Sequence, residues 1–375
     1  MTTTTAAVAC RLGADRVEGP LKGHHHEAYA VRLDPGSELG RRFSWLKLRE
    51  PRPGIFWYDL RCFSSDEELL ADLQGKVPRI PEVVPVDGRM SVHSFIEGET
   101  LGTLTGPDRP IAEHHLSQLA ELFGSLARID VSGLRQERAP GHEEHMSLVH
   151  SDDSSGFLAR LVDHTAGEVY EPHRTEFEAL FKAVGVPDEA LRVVAKELPE
   201  LTPRPYRLLH GDLHRENLIV DRAGDLWTID WELARIGDPV YDLATHLHLM
   251  RYPPDQEERM TELWREAVAA ALPPAVAGAA EDLPYYLAYK RVQSVYTDIM
   301  RGAVGLAETG GPDGSGGSDR TDDARTWRVA NGIHDALIRA REPLRLPGVA
   351  PADQIAQALT SWLHDRKGPS RARVS

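Results

Sequence analysis

The chain has 375 residues, of which 41% are hydrophobic and 27% are charged, which excludes a chain that is disordered throughout. The formal net charge of −15 argues against general nucleic-acid binding, because that requires a basic surface. No run approaches the roughly 20 apolar residues that cross a membrane. The N-terminus has no signal-like apolar segment, and two cysteines are too few for a disulfide framework. These features predict a cytoplasmic protein with no nucleic-acid or membrane partner and no evident obligate protein partner.

The first hundred residues predict a small antiparallel sheet with one helix. Alternating apolar positions bounded by Gly, Pro and polar turns indicate strands at 16–20, 28–33, 43–49, 83–86 and 90–96. A helix is predicted at 65–75, where a Ser or Asp can cap its start. The pattern breaks at Glu97, which predicts an N-terminal lobe over 1–97 and a C-terminal lobe over 98–375.

The remainder of the chain is predicted to be mainly helical. Leucine and phenylalanine recur at three- and four-residue steps from Ile111 onward. Further helices are predicted at 157–165, 173–184, 187–198, 240–250, 255–272, 283–303, 324–341 and 352–365. A Gly/Ser-rich loop at about 307–322 and the tail 367–375 are predicted to be flexible from their composition.

One segment of the C-terminal part carries the chemistry-bearing residues. Leu218–Val220 and Leu226–Ile229 are joined by an Asp/Gly turn and predict a hairpin. The hairpin brings Asn217, before its first strand, close to Asp230, after its second. An amide oxygen and a carboxylate at one point suit Mg²⁺. Asp212 lies on the loop that leads into the same hairpin. A carboxylate beside a metal–phosphate site can accept the proton of an attacking hydroxyl.

This segment resembles the catalytic core of the aminoglycoside phosphotransferase family and, more distantly, that of the protein kinases. The matching residues are His210-x-Asp212, Asn217, Ile229-Asp230 and the run from Gly237 to Ala244. The resemblance implies an α+β, two-lobed protein-kinase-like fold, with a small antiparallel sheet in the first lobe and mainly helices in the second. It also implies transfer of the γ-phosphoryl group of ATP to a hydroxyl with Mg²⁺, GTP being left open as the nucleotide.

The resemblance assigns nucleotide-binding roles in the N-terminal lobe. Lys47, on the third predicted strand, would bind the phosphates and pair with a helix acid, either Glu67 or Glu68. The turn around Gly23 would cover the phosphates. Backbone groups of a hinge would meet the purine, and the hinge residues are Phe95, Ile96 and Glu97.

The resemblance also assigns roles around the hairpin. Asp212 would orient and deprotonate the acceptor hydroxyl, while Asn217 and Asp230 would hold Mg²⁺. Supporting residues of the catalytic loop are His210, His214 and Asp242. Candidate substrate contacts are Trp231, Glu232 and Asp238.

The acceptor and the reaction class have alternatives. Residues 1–100 carry 13 basic and 15 acidic residues, so a net charge of −13 lies in the rest of the chain and would attract a cationic acceptor. An aminoglycoside or another amine- or sugar-bearing antibiotic is the first candidate. A metabolic alcohol such as choline, homoserine or a sugar is the second, with a macrolide or nucleoside antibiotic also open. An alternative outside the enzyme class is a nucleotide-binding pseudoenzyme that acts as a scaffold.

A further alternative reads His210, Asp212 and His214 as metal ligands of a hydrolase. Alternate residues of an extended segment do point the same way, so the pattern is physically feasible. However, no second His/Asp cluster with hydrolase spacing follows in the sequence, and a metal site needs enough ligands of suitable type.

Overall fold

The structure is a computed structural model of the chain. It describes residues 3–21, 26–52, 57–86, 91–134, 151–309 and 319–367. The predicted turn at Gly23, most of the predicted Gly/Ser-rich loop and the tail beyond residue 367 lie outside the described residues.

The predicted antiparallel sheet is present and has five strands. They are β1 (Ala14–Leu21), β2 (His26–Leu33), β3 (Trp45–Pro51), β4 (Val83–Pro85) and β5 (Ser91–Ser94). Their order across the sheet is β1-β2-β3-β5-β4, so β3 is central. Lys47 on β3 lies opposite His93 on β5, which fixes the register at the middle of the sheet.

The five remaining strands are short. They are β6 (Gly98–Thr100), β7 (Arg207–Leu209), β8 (Leu218–Asp221), β9 (Leu226–Thr228) and β10 (Arg235–Gly237). The strands β6, β8 and β9 form one small sheet, and β7 pairs with β10 in another. The predicted hairpin is therefore confirmed as β8 and β9, whereas β6 and β10 were not predicted.

Helices make up most of the chain after β6, which confirms the predicted α+β class. The helices are α1 (Thr3–Arg11), α2 (Asp66–Leu73), α3 (Leu101–Leu104), α4 (Glu113–Arg128), α5 (Ser154–His164), α6 (Arg174–Ala183), α7 (Ala190–Lys196), α8 (Pro239–Met250), α9 (Pro254–Ala271), α10 (Ala279–Thr309), α11 (Asp319–Ala340) and α12 (Ala352–Lys367). The cap predicted for α2 is present, because the Ser65 hydroxyl accepts a hydrogen bond from the Glu68 N–H at 3.2 Å. Within the described residues, no helix is both long enough and apolar enough to cross a membrane.

The chain divides into two compact units. The first comprises Met1–Ser154 and Thr202–Ala279, and the second comprises Ser155–Leu201 and Ala280–Ser375. All of the predicted site residues that the structure describes belong to the first unit. The lobe boundary predicted at Glu97 lies inside this unit and stays a prediction.

The second unit is built from helices and packs around aromatic side chains. The rings of Tyr170, Phe181 and Tyr296 meet with centroid distances between 4.9 and 5.3 Å. Trp362 on α12 stacks on Phe177 of α6 at 5.2 Å, and its indole N–H donates to a backbone carbonyl of α6. These contacts hold α6, α10 and α12 together within the unit.

The two faces of β3 have different partners. Successive side chains of a strand point to opposite faces, so Leu46 and Leu48 lie on one face while Lys47 and Arg49 lie on the other. The leucine face packs in a buried cluster that includes Val8 of α1. Burial of this apolar face fixes the strand and thereby the direction of both basic side chains.

Removal of the Leu46 side chain tests the role of this core. Leu46 has no exposed surface, so Leu46→Ala leaves a cavity and should lower the free energy of unfolding by about 2–5 kcal/mol. Urea denaturation followed by fluorescence measures the change. Leu104→Ala is the matched control, because Leu104 is 51% exposed and its loss should change the free energy of unfolding by less than about 0.5 kcal/mol. Equal effects of the two substitutions would contradict the assignment.

Candidate functional site

The β8–β9 hairpin brings together the residues on either side of it. Leu218 lies opposite Thr228 at the open end of the ladder. Just beyond this pair, the Ile229 N–H donates to the Asn217 carbonyl at 3.0 Å. Asn217 and Asp230 therefore lie at the same end of the hairpin, as the sequence predicts.

Asn217 also contacts Asp212. The amide nitrogen of Asn217 donates to the Asp212 carbonyl at 2.9 Å and to its carboxylate at 3.0 Å. Because the nitrogen is used in this way, the amide oxygen of Asn217 is the atom left to bind a cation. Asp212, Asn217 and Asp230 thus converge at one point.

A buried carboxylate holds the loop that carries Asp212. One oxygen of Asp242 accepts from the His210 N–H at 3.0 Å, and the other accepts from the Gly211 N–H at 2.8 Å. Gly211 has a φ of 79°, and a Cβ there would lie 2.6 Å from the Leu233 carbonyl oxygen. Only glycine fits this close approach without strain.

His210 braces the same loop from inside. Its Nδ1 accepts from the Asp212 N–H at 3.3 Å, so its Nε2 carries the proton and donates to the Ile229 carbonyl at 3.2 Å. Burial lowers the pKa of His210 to about 4, which keeps the ring neutral near pH 7. The ring therefore links the Asp212 loop to the strand that precedes Asp230.

His214 lies on the other side of Asp212. Its Nδ1 accepts from the Glu216 N–H, and its Nε2 lies 3.4 Å from the Asp212 carboxylate. Burial opposes the charged form of this ring, but the hydrogen bond and the negative charge of Asp212 outweigh burial, so the pKa of His214 is raised. The Asp212 carboxylate is therefore held between an amide and an imidazole.

Asp230 is a half-buried acid in a rare backbone conformation. Its φ is 66°, in the left-handed region that non-glycine residues seldom adopt. Burial, together with the negative charge of Glu232, raises the pKa of Asp230 to about 6, while Lys47 opposes the shift. Burial is the largest cause of the raised pKa, and Lys47 and Arg49 offset it only in part.

Lys47 and Arg49 face this acid from β3. Burial lowers the pKa of Lys47, and among its charged neighbours Asp230 acts most strongly to keep it charged. The Glu67 carboxylate contacts Arg49 at 2.5 Å and accepts a hydrogen bond from the Ser65 hydroxyl at 3.0 Å. The predicted pairing of Lys47 with Glu67 or Glu68 stays a prediction. Glu68 contributes its N–H to the cap of α2.

The hinge residues lie beside a cavity of about 630 Å³. Phe95, Ile96 and Glu97 contribute to its lining, whereas Asp212 and Asp230 do not. The Phe95 N–H already donates to the Trp45 carbonyl at 3.2 Å, and the Glu97 carboxylate binds Arg222 at 2.8 Å. Their contact with a purine stays a prediction.

The family model for the phosphotransferase enzyme family, APH, matches residues 21–280. This match covers more than half of the chain and includes every residue of the site described above. The chain belongs to the phosphotransferase enzyme family. Together with the five-stranded sheet and the helical remainder, the match confirms the resemblance and the protein-kinase-like fold predicted from it.

Several solved structures are similar to the phosphotransferase at low identity. A thermostable mutant of aminoglycoside phosphotransferase APH(4)-Ia, in complex with ADP and hygromycin B, is 15% identical, with 93% of this chain and 100% of that chain covered and a TM-score of 0.49. The choline kinase LicA from Streptococcus pneumoniae is 13% identical, with 96% and 98% covered and a TM-score of 0.39. A choline/ethanolamine kinase family protein from Mesorhizobium loti is 16% identical, with 96% and 100% covered and a TM-score of 0.45. No curated protein sequence matches the phosphotransferase significantly.

The three predicted substrate contacts are buried and bound within the phosphotransferase. Trp231 is 1% exposed, and its indole N–H donates to the Thr228 carbonyl. Glu232 binds Arg49 at 3.2 Å and His26 at 2.6 Å. Asp238 has no exposed surface, pairs with Arg204 and caps α8 at the Val240 N–H. These contacts give the three residues partners within the protein, and their contact with a substrate stays a prediction.

The phosphotransferase site also contains two arginines that sequence reasoning missed. Arg49 contacts Glu232, and Arg215 joins the catalytic loop to neighbouring carbonyls by donating to Met250 and Arg109. The sequence does indicate that Arg49 lies near the site. It follows Lys47 by two residues, and a strand places such residues on the same face. No comparable signal marks Arg215, whose partners lie more than thirty residues away.

Substitution of Asp242 tests the support of the catalytic loop. Asp242→Asn replaces an accepting oxygen with a donor, which leaves one buried backbone N–H unpaired and should lower the free energy of unfolding by about 1–3 kcal/mol. Urea denaturation measures this loss, and amide hydrogen exchange should quicken at residues 210 and 211. Glu258→Gln, on the exposed surface of α9, is the control with little expected change. Unchanged exchange at both amides in Asp242→Asn would refute the role.

The raised pKa of Asp230 predicts a pH-dependent stability. The folded chain binds this proton more tightly than the unfolded chain, whose Asp titrates near 3.9, so charged Asp230 destabilises the fold above about pH 6. Asp230→Asn removes the charge and, without divalent metal, should be more stable than wild type at pH 7 by roughly 1–3 kcal/mol. Denaturation at several pH values should show this difference closing as the pH falls toward 4. A difference independent of pH would contradict the prediction.

Proposed function

We propose that this phosphotransferase moves the γ-phosphoryl group of ATP to a hydroxyl of a small molecule. The observation that carries the proposal is the meeting of Asp212, Asn217 and Asp230 at one end of the β8–β9 hairpin. Lys47 supplies a positive charge next to Asp230. Phosphoryl transfer depends mainly on positioning and charge stabilisation, and these are the groups that such a reaction requires.

Asp212 orients the acceptor hydroxyl and accepts its proton. Its carboxylate is held by the Asn217 amide at 3.0 Å and by His214 at 3.4 Å, so its direction is fixed before a substrate binds. A fixed carboxylate within hydrogen-bond reach of a hydroxyl can act as a general base. The neutral His210 ring keeps the loop in place and takes no part in proton transfer.

The donor set at the hairpin fits Mg²⁺. The Asp230 carboxylate and the amide oxygen of Asn217 are hard oxygen ligands. Burial and the negative charge of Glu232 disfavour the charged form of Asp230, and a bound divalent cation would stabilise that form. When bound, Mg²⁺ would neutralise charge on the transferring phosphoryl group. Lys47 would bind the phosphates beside it.

The acceptor that we propose first is an aminoglycoside or another amine- or sugar-bearing antibiotic. The net charge of −13 beyond residue 100 supports a cationic acceptor, because such a field draws cations toward the protein. Modification of such an antibiotic would confer resistance. Choline is the second candidate, because it is also a cation that carries a hydroxyl group.

Two alanine substitutions separate the roles of the acids. Asp212→Ala should lower turnover by about 10²–10⁴-fold with MgADP affinity within about threefold of wild type, because only the proton acceptor is lost. Asp230→Ala should abolish turnover and also weaken MgADP binding, because a metal ligand is lost. Turnover is measured by product mass with a panel of hydroxyl acceptors and Mg-ATP, and affinity by calorimetry.

The matched control for both substitutions is Asp255→Ala. Asp255 is exposed on α9 and should leave turnover and MgADP affinity unchanged. Transfer by Asp212→Ala at the wild-type rate would refute the role of Asp212. Nucleotide binding by wild type without transfer to any acceptor would favour the scaffold alternative.

A further inference from the structure

Arg215 belongs to the catalytic loop, and its side chain is buried. Its Nε donates to the Met250 carbonyl at 2.9 Å, and its Nη2 donates to the Arg109 carbonyl at 2.8 Å. Its Nη1 lies 3.3 Å from both the carbonyl oxygen and the hydroxyl oxygen of Thr105. One side chain of the loop thus binds four oxygen atoms on two other segments, the end of α8 and the stretch that follows α3.

The contacts of this buried cation are all to neutral oxygen atoms. Within the part of the chain that the structure describes, no carboxylate contacts Arg215. Burial lowers the pKa of Arg215, and Asp108, an acid that favours its charged form, pairs with Arg251 at 2.7 Å. A buried charge is costly unless hydrogen bonds or a counter-charge compensate it. The four hydrogen bonds provide this compensation, and because they use all three nitrogens of the planar fork they also fix its orientation.

His246 of α8 holds the loop one residue after Asp212. Its Nδ1 lies 3.0 Å from the Leu213 carbonyl, and a carbonyl can only accept, so Nδ1 carries the proton and donates. Its Nε2 then accepts from the Tyr252 hydroxyl at 2.9 Å. Burial lowers the pKa of His246 to about 3, which keeps the ring neutral near pH 7.

The contacts between α8 and the loop recur at four-residue steps. Asp242 binds the N–H groups of residues 210 and 211, His246 binds the carbonyl of residue 213, and the Met250 carbonyl binds Arg215. Residues four apart lie on the same side of a helix. The loop therefore runs along one side of α8, and Arg215 makes the last of these contacts.

The side chains of the loop alternate in burial. Leu213 and Arg215 are buried, whereas Asp212 and His214 are half-buried. Alternate residues of an extended segment point to opposite sides, so contacts that hold Leu213 and Arg215 in place also direct Asp212 the other way.

We propose that Arg215 is a positioning residue that acts through Asp212. By fixing the end of the loop on α8 and on residues 105–109, it holds the Asp212 carboxylate in the direction of the acceptor hydroxyl. The proposal rests on the proposed function and gives Arg215 a part in the reaction without contact with nucleotide or acceptor.

The turnover of Arg215→Met tests the proposal. Loss of the guanidinium should lower kcat by about 10²-fold, because a small misplacement of a reacting group has an effect of this size. MgADP affinity should stay within about threefold of wild type, because Asn217 is held separately by its backbone contact with Ile229. Product mass with Mg-ATP and the panel of hydroxyl acceptors gives kcat, and calorimetry gives both MgADP affinity and the fraction of active sites.

The same substitution in Asp212→Ala separates positioning from a role in folding. Without the carboxylate that it positions, Arg215→Met should change the residual kcat by less than about threefold, because the two residues then act as one unit. A role in folding alone would instead reduce the fraction of active sites by the same factor in both backgrounds. Long incubations before the product mass is measured make the slow variants comparable.

The matched control is Arg251→Met. Through its 2.7 Å contact with Asp108, Arg251 also joins the end of α8 to residues 105–109, but none of its contacts with the described residues is on the catalytic loop. Its substitution should leave kcat within about twofold of wild type. If Arg215→Met does not fold, Arg215→Lys replaces it in both backgrounds, because lysine keeps the charge and loses the fork. Arg215→Lys should lower kcat by an intermediate amount.

Two results would overturn this inference alone. Wild-type kcat in a folded Arg215 variant would show that Arg215 does not position the loop. An equal fall in kcat with and without the Asp212 carboxylate would show that Arg215 does not act through Asp212. Absence of transfer by the wild-type protein to every acceptor would instead overturn the proposed function, and this inference with it.

Discussion

The candidate site depends on the hydrogen bonds between one buried carboxylate and two consecutive backbone amides. Asp242 binds the N–H groups of His210 and Gly211 and thereby fixes the loop that presents Asp212. From this loop His210 reaches the strand before Asp230. The positions of Asp212 and Asp230 therefore depend on Asp242, a residue of α8. In the proposed reaction Asp242 contacts neither the nucleotide nor the acceptor.

A second constraint is the balance of charge between β3 and the hairpin. Buried carboxylates are costly unless a cation or hydrogen bonds compensate them. Arg49 compensates those of α2 and Glu232, whereas Asp230 retains a raised pKa. Asp230, the acid whose proposed ligand is a metal ion, therefore keeps a raised pKa despite Lys47 and Arg49, whereas the other three carboxylates pair directly with Arg49.

Local patterns predicted much of this architecture. The Asp/Gly turn between two apolar runs specified the hairpin, and Ser65 specified the start of α2, because both depend on residues close in sequence. Helix α1 was missed because its opening threonines are weak helix formers, and packing of Val8 on the sheet stabilises it instead. The partner of Glu67 could not be predicted either, since two cations on one strand face compete for it and only three-dimensional geometry decides between them.

Arg204 and Asp238 form a buried ion pair in which each charge is compensated by the other. Neither side chain has exposed surface, and their ion pair lies at the start of α8. Loss of one partner leaves an uncompensated buried charge, which typically costs about 3–5 kcal/mol, whereas replacement of both by apolar residues is often tolerated. An evolutionary path from the pair to an apolar equivalent must therefore cross an unstable single-substitution intermediate. That barrier can preserve the pair through drift even where the pair itself adds little to stability.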